Sequence, residues 1–369
     1  LPGGQRIESR GKAQGGVSWD LVFGQDDGVL DFERGTLALG GGALASAETR
    51  GLHIRGNVES VVFDEWLRLS RGNEKRTGTA DRIRSIDVNV DSLRLLGQHL
   101  QDHRVRVDRS ARDWLVQFEG EQVTGSAFVP YDLGSDRDVV LDMERLILPG
   151  DSSREVAGDG EQIDPRTLPP ITLKAAEFAL GNRFLGAVET QFVRTGQGLI
   201  AETFVARDAT FEAAGNARWI AEPTDPTGFR SYLMATLTST DVKTTMQRLD
   251  YAPGIVSDDM TLLFDVSWSG GPRTDVFESL DGDVQVRFGA GQLDEIEPGA
   301  GRLFGLMSIV ALPRRLSLDF TDVFDKGFGF DSIDGTFRIV DGEAYTCNLS
   351  LEGPAANIAI IGRASLADR

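Results

Sequence analysis

A few residues of this chain have types and spacings that could support chemistry. The pairs Asp26–Asp27 and Asp258–Asp259 could form the carboxylate couple of a glycoside hydrolase. Acidic turns at strand ends give the same pattern, and we favour that interpretation because such turns are far commoner. The glycine-rich segment 40–43 lacks the Lys-Ser/Thr ending of a phosphate-binding loop. We therefore expect no catalytic residue and do not interpret the chain as an enzyme.

Histidine and cysteine are scarce. His53, His99 and His103 are separated by polar strand residues, so we expect surface or edge positions and no metal site. Cys347 is the single cysteine, which excludes an internal disulfide, and its neighbours predict a small buried apolar residue. We expect no cofactor.

Composition narrows the classes of partner. The 369 residues carry a formal net charge of -19, which argues against nucleic-acid binding and against adhesion to anionic membrane surfaces. No segment reaches the roughly 20 apolar residues that a transmembrane helix needs. The chain begins without Met and ends within a predicted strand, so we expect it to be part of a longer protein.

Period-2 alternation dominates the sequence and predicts about 20 strands. In "TLLFDVSWSG", Leu262, Phe264, Val266 and Trp268 share one face. Asp-Gly pairs beginning at positions 281, 334 and 341 are interpreted as turns. One apolar and one wet face predict antiparallel pairing, because buried parallel strands are apolar on both faces. These residues alone leave a sandwich, a barrel, a β-helix and an open groove as alternatives.

Three short helices are predicted, near 60–70, 240–251 and 301–312. The first two form an internal repeat, each beginning at a hydroxyl cap, Ser60 or Thr240. The third we interpret as a cap on a sheet end, with Pro313 ending it. Its apolar residues are Leu303, Phe304, Met307 and Val310, and Arg314 and Arg315 follow it.

Segment 149–169 is rich in Gly, Pro, Ser and acids and lacks periodicity, so it predicts a loop or linker. It separates an N-terminal part, 1–148, from a C-terminal part, 170–369.

Long motifs in the C-terminal part resemble a known family. They are "IDPRTLPPITLKAAEFALGNRFLG" (163–186), "DVSWSGGP" (265–272) and the stretch 299–366 that contains "LPRRLSLDF" and "FDSIDG". Together they resemble the C-terminal region of YhdP-type proteins, which belong to the AsmA-like superfamily of Gram-negative bacteria. The resemblance is strong over roughly 160–369 and weaker over 1–150.

The resemblance implies a mainly β fold with a few short helices, in which an elongated, curved antiparallel sheet forms a U-shaped apolar groove, like a taco shell. It also implies periplasmic phospholipid transport between the inner and outer membranes, with anchoring by an N-terminal inner-membrane helix outside this chain. Phospholipids and both membranes are then the expected partners, with a periplasmic or outer-membrane protein as a further candidate. The alternative is a periplasmic scaffold for assembling outer-membrane proteins, which would bind client strands at a sheet edge.

In the groove interpretation, acyl chains contact the apolar face of the strands, since each buried methylene contributes about 0.8 kcal/mol. The predicted lining residues are Phe178, Phe192, Phe204, Phe211, Leu262, Phe264, Val266, Trp268, Val284, Val286, Phe288, Leu316, Leu318, Phe320, Phe337, Ile339, Ile358 and Ile360. As the alternative to a cap, the helix predicted at 301–312 is then a gate that contacts acyl chains, and Arg314 and Arg315 are candidates for a phosphate contact.

Overall fold

Strands account for most of the chain in a computed structural model. The structure describes residues 5–13, 15–26, 29–62, 82–95, 98–149, 163–271, 276–293 and 328–366. These ranges hold 22 strands, one α-helix and two single 3-10 turns. Strand pairing in these ranges is mainly antiparallel and helices are few, so the predicted mainly β fold class is confirmed.

The chain divides into two compact units. The first comprises 1–149 with 171–175, and the second comprises 150–170 with 176–369. Strand β10 (Ile171–Leu180) is therefore shared between them. The strands of the first unit are β1 (Gln5–Lys12), β2 (Ser18–Asp26), β3 (Val29–Leu39), β4 (Gly51–Val62), β5 (Ile83–Leu95), β6 (Gln98–Arg109), β7 (Asp113–Glu119), β8 (Val123–Pro130) and β9 (Val139–Leu148).

Strands β1 to β9 pair in chain order, but not all of them are antiparallel. β3 with β4 and β4 with β5 run parallel, which corrects the expectation from alternation. That expectation assumed that parallel strands are covered on both faces by helices. Here the face that carries Arg55, Asp87 and Arg106 is polar and partly exposed, so the parallel strands keep an alternating pattern.

The connection between β3 and β4 crosses one face of the first unit without forming a helix. Ala47 in this segment is buried, and Ser46 donates to the carboxylate of Asp20 at 2.6 Å. Arg10 donates to the same carboxylate, also at 2.6 Å. The hydrogen bonds from Ser46 and Arg10 lower the pKa of Asp20 below its ordinary value. The segment 40–50 is thereby held against β1 and β2.

The second unit contains the remaining strands. They are β11 (Arg183–Arg194), β12 (Gly198–Arg207), β13 (Phe211–Ala221), β14 (Phe229–Ser239), β15 (Ile255–Ser257), β16 (Met260–Ser269), β17 (Asp281–Phe288), β18 (Gly291–Leu293), β19 (Phe328–Phe330), β20 (Ser332–Val340), β21 (Glu343–Glu352) and β22 (Asn357–Ser365). The longer strands pair antiparallel in the order β11–β12–β13–β14–β16–β17–β20–β21–β22. β15, β18 and β19 form a separate three-stranded sheet.

At two of the three Asp-Gly pairs that were predicted to form turns, the residues lie within strands instead. Asp341 and Gly342 do form the β20–β21 turn, with φ angles of 47° and 76°. Gly282 and Gly335 instead lie inside β17 and β20, which corrects the turn prediction there. A Cβ on Gly282 would come within 2.1 Å of the carbonyl oxygen of Asp265. Glycine is needed at this position for close approach of the neighbouring strand and not for a turn.

The helix predicted near 240–251 is confirmed as α1 (Val242–Arg248). Its cap is Asp241 and not Thr240, because the Asp241 carboxylate accepts from the backbone N–H of Thr244 at 3.0 Å. The prediction near 60–70 is wrong at its start, since Ser60 lies in β4 opposite Ser92 of β5. Residues 63–70 and the helix predicted at 301–312 lie outside the described residues.

Candidate functional site

Strand register brings apolar side chains of the second unit into four rows that cross the sheet. A row is a set of residues that lie opposite one another on successive strands, on one face. We define the second apolar face by these rows. They are Phe204, Gly215, Ala235, Phe264, Val284 and Phe337; Phe192, Ala201, Ala217, Leu233, Val266, Gly282 and Ile339; Val188, Ala206, Ala213, Leu237, Leu262, Val286 and Gly335; and Phe211, Ser239, Met260, Phe288, Ile333, Leu351 and Ile358.

Most of the predicted lining residues meet on this face. Trp268 lies opposite Ser231 at the end of β16, and its indole N–H donates to the carbonyl of Gly271 at 2.9 Å. Ile360 lies opposite Leu349. Phe178 differs, because it lies on the opposite face of β10 from the buried Ala175 and Ala179. The predicted residues Leu316, Leu318, Phe320, Leu303, Phe304, Met307, Val310, Arg314 and Arg315 lie outside the described residues.

The second apolar face is incompletely buried. Phe211, Val266, Phe288 and Ile339 are buried, whereas the other predicted residues on it that the structure describes are half-buried. None of these is fully exposed. The face therefore retains accessible apolar area.

One end of the face is covered by elements that the sequence analysis did not anticipate as a cap. Val242 of α1 is fully buried and packs with Ile255 of β15 and Phe330 of β19. Phe211 and Met260 belong to the same cluster. The small sheet was missed because its strands are only three residues long and show no measurable alternation.

Residues 276–280, which precede β17, pack near the other end. Leu280 is buried with Val266 and Ile339, and Phe277 packs against the same cluster. A single 3-10 turn, Phe277–Ser279, shapes this segment. The apolar face thus has packed elements at both ends of its strands.

Small side chains occupy the middle of β13 on the second apolar face. Ala213, Gly215 and Ala217 alternate along the strand between Phe211 and Trp219, and all three are half-buried. A Cβ on Gly215 would lie 2.1 Å from the carbonyl oxygen of Met234, so this position admits only glycine. The strand forms a shallow floor between larger residues, about 14 Å long from Ala213 to Ala217 at 3.4 Å per residue.

The first unit carries a corresponding first apolar face that the predicted lining residues did not include. Its rows are Ile54, Ile86, Val107, Val116, Ala127 and Leu141, and Val88, Val105, Phe118, Gly125 and Met143. The sequence does indicate this face, since apolar and polar residues alternate clearly in "DWLVQFE" and "HRVRVDR".

In both units, charged groups occupy the face of the strands opposite the apolar face. Arg104 forms a bidentate pair with Asp87, and Arg338 pairs with Asp283 at 2.7 Å. A better buried network joins Arg230 to Asp225 and Asp281. Burial opposes ionisation of Asp225, but hydrogen bonds from Ser269, Thr227 and Arg230 outweigh it, so the pKa of Asp225 is lowered.

Of the residues that suggested chemistry, Asp27 lies outside the described residues. In the part of the chain that the structure describes, no group of three or more His, Cys, Asp or Glu could hold a metal ion. His53 is hydrogen-bonded to Ser85 at 2.7 Å and His99 is exposed, but His103 is buried, contrary to the surface prediction. Cys347 is exposed, which corrects its predicted burial: β21 turns this residue toward solvent.

The family model described as "YhdP protein" matches residues 3–369. The chain belongs to the YhdP family. The predicted resemblance is therefore confirmed, over nearly the whole chain. The chain is also 24% identical over 320 residues to the "Intermembrane phospholipid transporter YhdP" of Escherichia coli strain K12. That alignment covers 85% of this chain and 25% of the relative.

The chain thus spans about a quarter of the length of this curated relative. No solved structure matches it. Within the described residues, no helix combines the length and apolar character needed to cross a membrane.

Proposed function

We propose that this chain is a segment of a periplasmic conduit that guides phospholipids between the inner and outer membranes. The observation that carries the proposal is the continuity of the apolar rows, each of which crosses six or seven neighbouring strands of the second unit. A row that crosses many strands offers acyl chains an uninterrupted apolar surface. The relative's name, an intermembrane phospholipid transporter, supports the same role.

The proposed mechanism is passive guidance without catalysis. Acyl chains contact the second apolar face, including Phe192, Phe204, Phe264 and Val286, while headgroups remain in solvent at the edge of this face. Each methylene removed from water contributes about 0.8 kcal/mol, so retention requires no headgroup-specific site. Because every row offers similar side chains, a lipid can shift from one row to the next with little change in free energy.

The partners and location follow from this proposal. Phospholipids are the ligand, and the two membranes are reached through segments outside this chain, including an N-terminal inner-membrane anchor. The net charge of -19 keeps the wet surface away from anionic headgroups of neighbouring bilayers.

The test compares neighbouring residues on opposite faces of one strand. Phe264 is half-buried on the second apolar face, whereas Leu263 beside it is 42% exposed on the other face. Phe192 and Val193, which is 46% exposed, form a second such pair. The variants Phe264→Glu and Phe192→Glu place a charge among acyl chains, whereas Leu263→Glu and Val193→Glu add the same charge outside.

The measurement is native mass spectrometry of the purified chain with phosphate assay of extracted lipid. We expect bound phospholipid in the wild type and both control variants, and a loss of at least severalfold in Phe264→Glu and Phe192→Glu. Circular dichroism verifies that each variant is folded. A wild type that is lipid-free and melts cooperatively would refute the conduit and favour the scaffold that binds client strands.

A further inference from the structure

A histidine is buried where the first apolar face meets the turn between β7 and β8. His103 of β6 is fully buried and lies opposite Val90 of β5, two residues before Val105 on the same face. The turn, residues 120–122, lies against the imidazole, because a Cβ on Gly120 would come within 2.4 Å of the ring atom Cδ2. A titratable group is therefore enclosed at the margin of an apolar face.

One hydrogen bond ties the imidazole to β8 and fixes its protonation. Nε2 of His103 accepts from the backbone N–H of Val123 at 3.2 Å. Because this nitrogen accepts, the neutral ring carries its proton on Nδ1. Protonation would add a hydrogen to Nε2 that points at the N–H of Val123, so the hydrogen bond would be replaced by two opposed donors. The bond therefore exists only while His103 is neutral.

Two further contacts of the turn involve groups that do not titrate. The backbone N–H of Gln101 donates to the side-chain carbonyl of Gln122 at 3.2 Å, and the N–H of Ile147 in β9 donates to the backbone carbonyl of Gln122 at 2.8 Å. Amide groups keep the same protonation state in acid and at neutral pH. Mild acid therefore acts on the His103 contact and leaves these two unchanged.

Burial decides the charge of the ring. It lowers the pKa of His103 and outweighs the opposing effects of the Gln101 backbone and the Asp102 charge. The other charged residues nearest in register on the surrounding elements are Asp91 of β5, Arg104 of β6, Glu119 and Glu121 at the turn, and Glu144 and Arg145 of β9. None of these six residues is buried. The ring is therefore neutral at pH 7, with the turn bound to it.

We propose that His103 is a proton-operated latch, which holds the turn 120–122 on β6 when neutral and releases it when protonated. Release exposes Val90 and Val123, which are buried next to His103, and so lengthens the accessible part of the first apolar face. The latch does not depend on the proposed function, because its test measures the turn and not bound lipid.

The experiment is hydrogen–deuterium exchange of the whole purified chain, followed by mass spectrometry at pH 7.5 and pH 5, with rates corrected for the intrinsic effect of pH on exchange. The readout is the protection of the peptide that contains Val123. The internal reference is the second unit, since all three histidines of the chain lie in the first unit. The variants are His103→Gln and Gly120→Ala.

We expect the open population of the turn in the wild type to rise tenfold or more at pH 5. The upper limit is about 30-fold, for a ring that titrates near pH 6.5 in the open turn and stays neutral in the closed one. His103→Gln should show no such rise, because an amide oxygen can accept from Val123 at both pH values. Gly120→Ala should lower protection already at pH 7.5, because its methyl group displaces the turn from the ring.

Three outcomes would overturn the proposal. Equal corrected protection of the turn at both pH values in the wild type would show that acid does not release it. The same acid effect in His103→Gln would assign the effect to another group. Protection lost equally over all peptides of the first unit would indicate unfolding of the unit and not a latch. If His103→Gln fails to fold, Gly120→Ala decides, and unchanged protection of its turn would refute the packing on which the latch depends.

Discussion

The buried ion network around Arg230 offers the sharpest test of what holds the second unit together. Arg230 donates through Nη1 to Asp225 at 3.2 Å and through Nη2 to Asp281. Its Nε and Nη2 also reach the hydroxyl of Ser267, at 3.2 and 3.0 Å. These contacts join β14, β16 and β17. We expect Arg230→Met to destabilise the unit by removing the common partner.

The magnitude depends on how well Asp225 remains compensated. The Asp225 side chain is 0% exposed and Arg230 is 21% exposed, so this pair is little screened by water. Removing one partner of a buried pair costs about 3–5 kcal/mol when nothing replaces it. Asp225 keeps hydrogen bonds from Ser269 at 2.6 Å and from Thr227 at 2.7 and 2.9 Å. We therefore expect about 2–3 kcal/mol, which lowers Tm by roughly 5–10 °C.

The matched control is Arg338→Met on the same face. Arg338 is 66% exposed and pairs with Asp283, which is 45% exposed, so its loss should cost under about 1 kcal/mol. The assay is differential scanning calorimetry of the wild type and both variants at pH 7. Equal melting temperatures for Arg230→Met and Arg338→Met would refute the argument that burial makes the Arg230 network important.

Two further predictions concern protonation and capping. Burial lowers the pKa of His103, so the unfolded chain binds a proton at this residue more readily than the folded chain does. The contribution of neutral His103 to the free energy of unfolding is therefore fully present above about pH 6.5 and is lost as the pH falls below that value. Urea unfolding at pH 7.5 and pH 5 should show a smaller pH effect in His103→Gln than in the wild type, and an equal effect in the two proteins would contradict this reasoning. Asp241→Ala should cost about 1 kcal/mol by removing the N-cap of α1, whereas Thr240→Ala should cost almost nothing; thermal melts that rank the two variants the other way would contradict the assigned cap.

Alternation predicted the strands well because each has one wet face. In β16, Leu262, Phe264 and Val266 face the apolar side as expected, since their spacing of two residues fixes a common face. The same pattern could not reveal the parallel pairing of β3, β4 and β5, because strand direction depends on the path of the connections. Glycine was ambiguous for a similar reason: Gly282 permits close strand approach, whereas Gly342 permits a turn.

The candidate site was predictable only in part. The rows of the second unit follow from alternation once the register is known, but register between distant segments is a tertiary property. Ile339 lies opposite Gly282 even though 57 residues separate them in the chain. Likewise, the guanidinium of Arg109 lies 5.4 Å from the ring centroid of Trp114 and 4.8 Å from that of Tyr131, and such contacts depend on side-chain orientation, which alternation does not give.

The small side chains of β13 provide a test that does not rely on adding charge. If Ala213, Gly215 and Ala217 form a floor on which an acyl chain lies, then filling the floor should displace lipid without unfolding the unit. Ala217 is half-buried between Ala201 and Leu233, so Ala217→Phe is the appropriate change. We expect an unchanged or slightly higher Tm and a severalfold loss of phospholipid by phosphate assay. If Tm instead falls as it does on overpacking a closed core, by the equivalent of about 1–3 kcal/mol, the floor is already occupied by protein and the face is a core. If Tm and bound lipid are both unchanged, acyl chains lie on other rows.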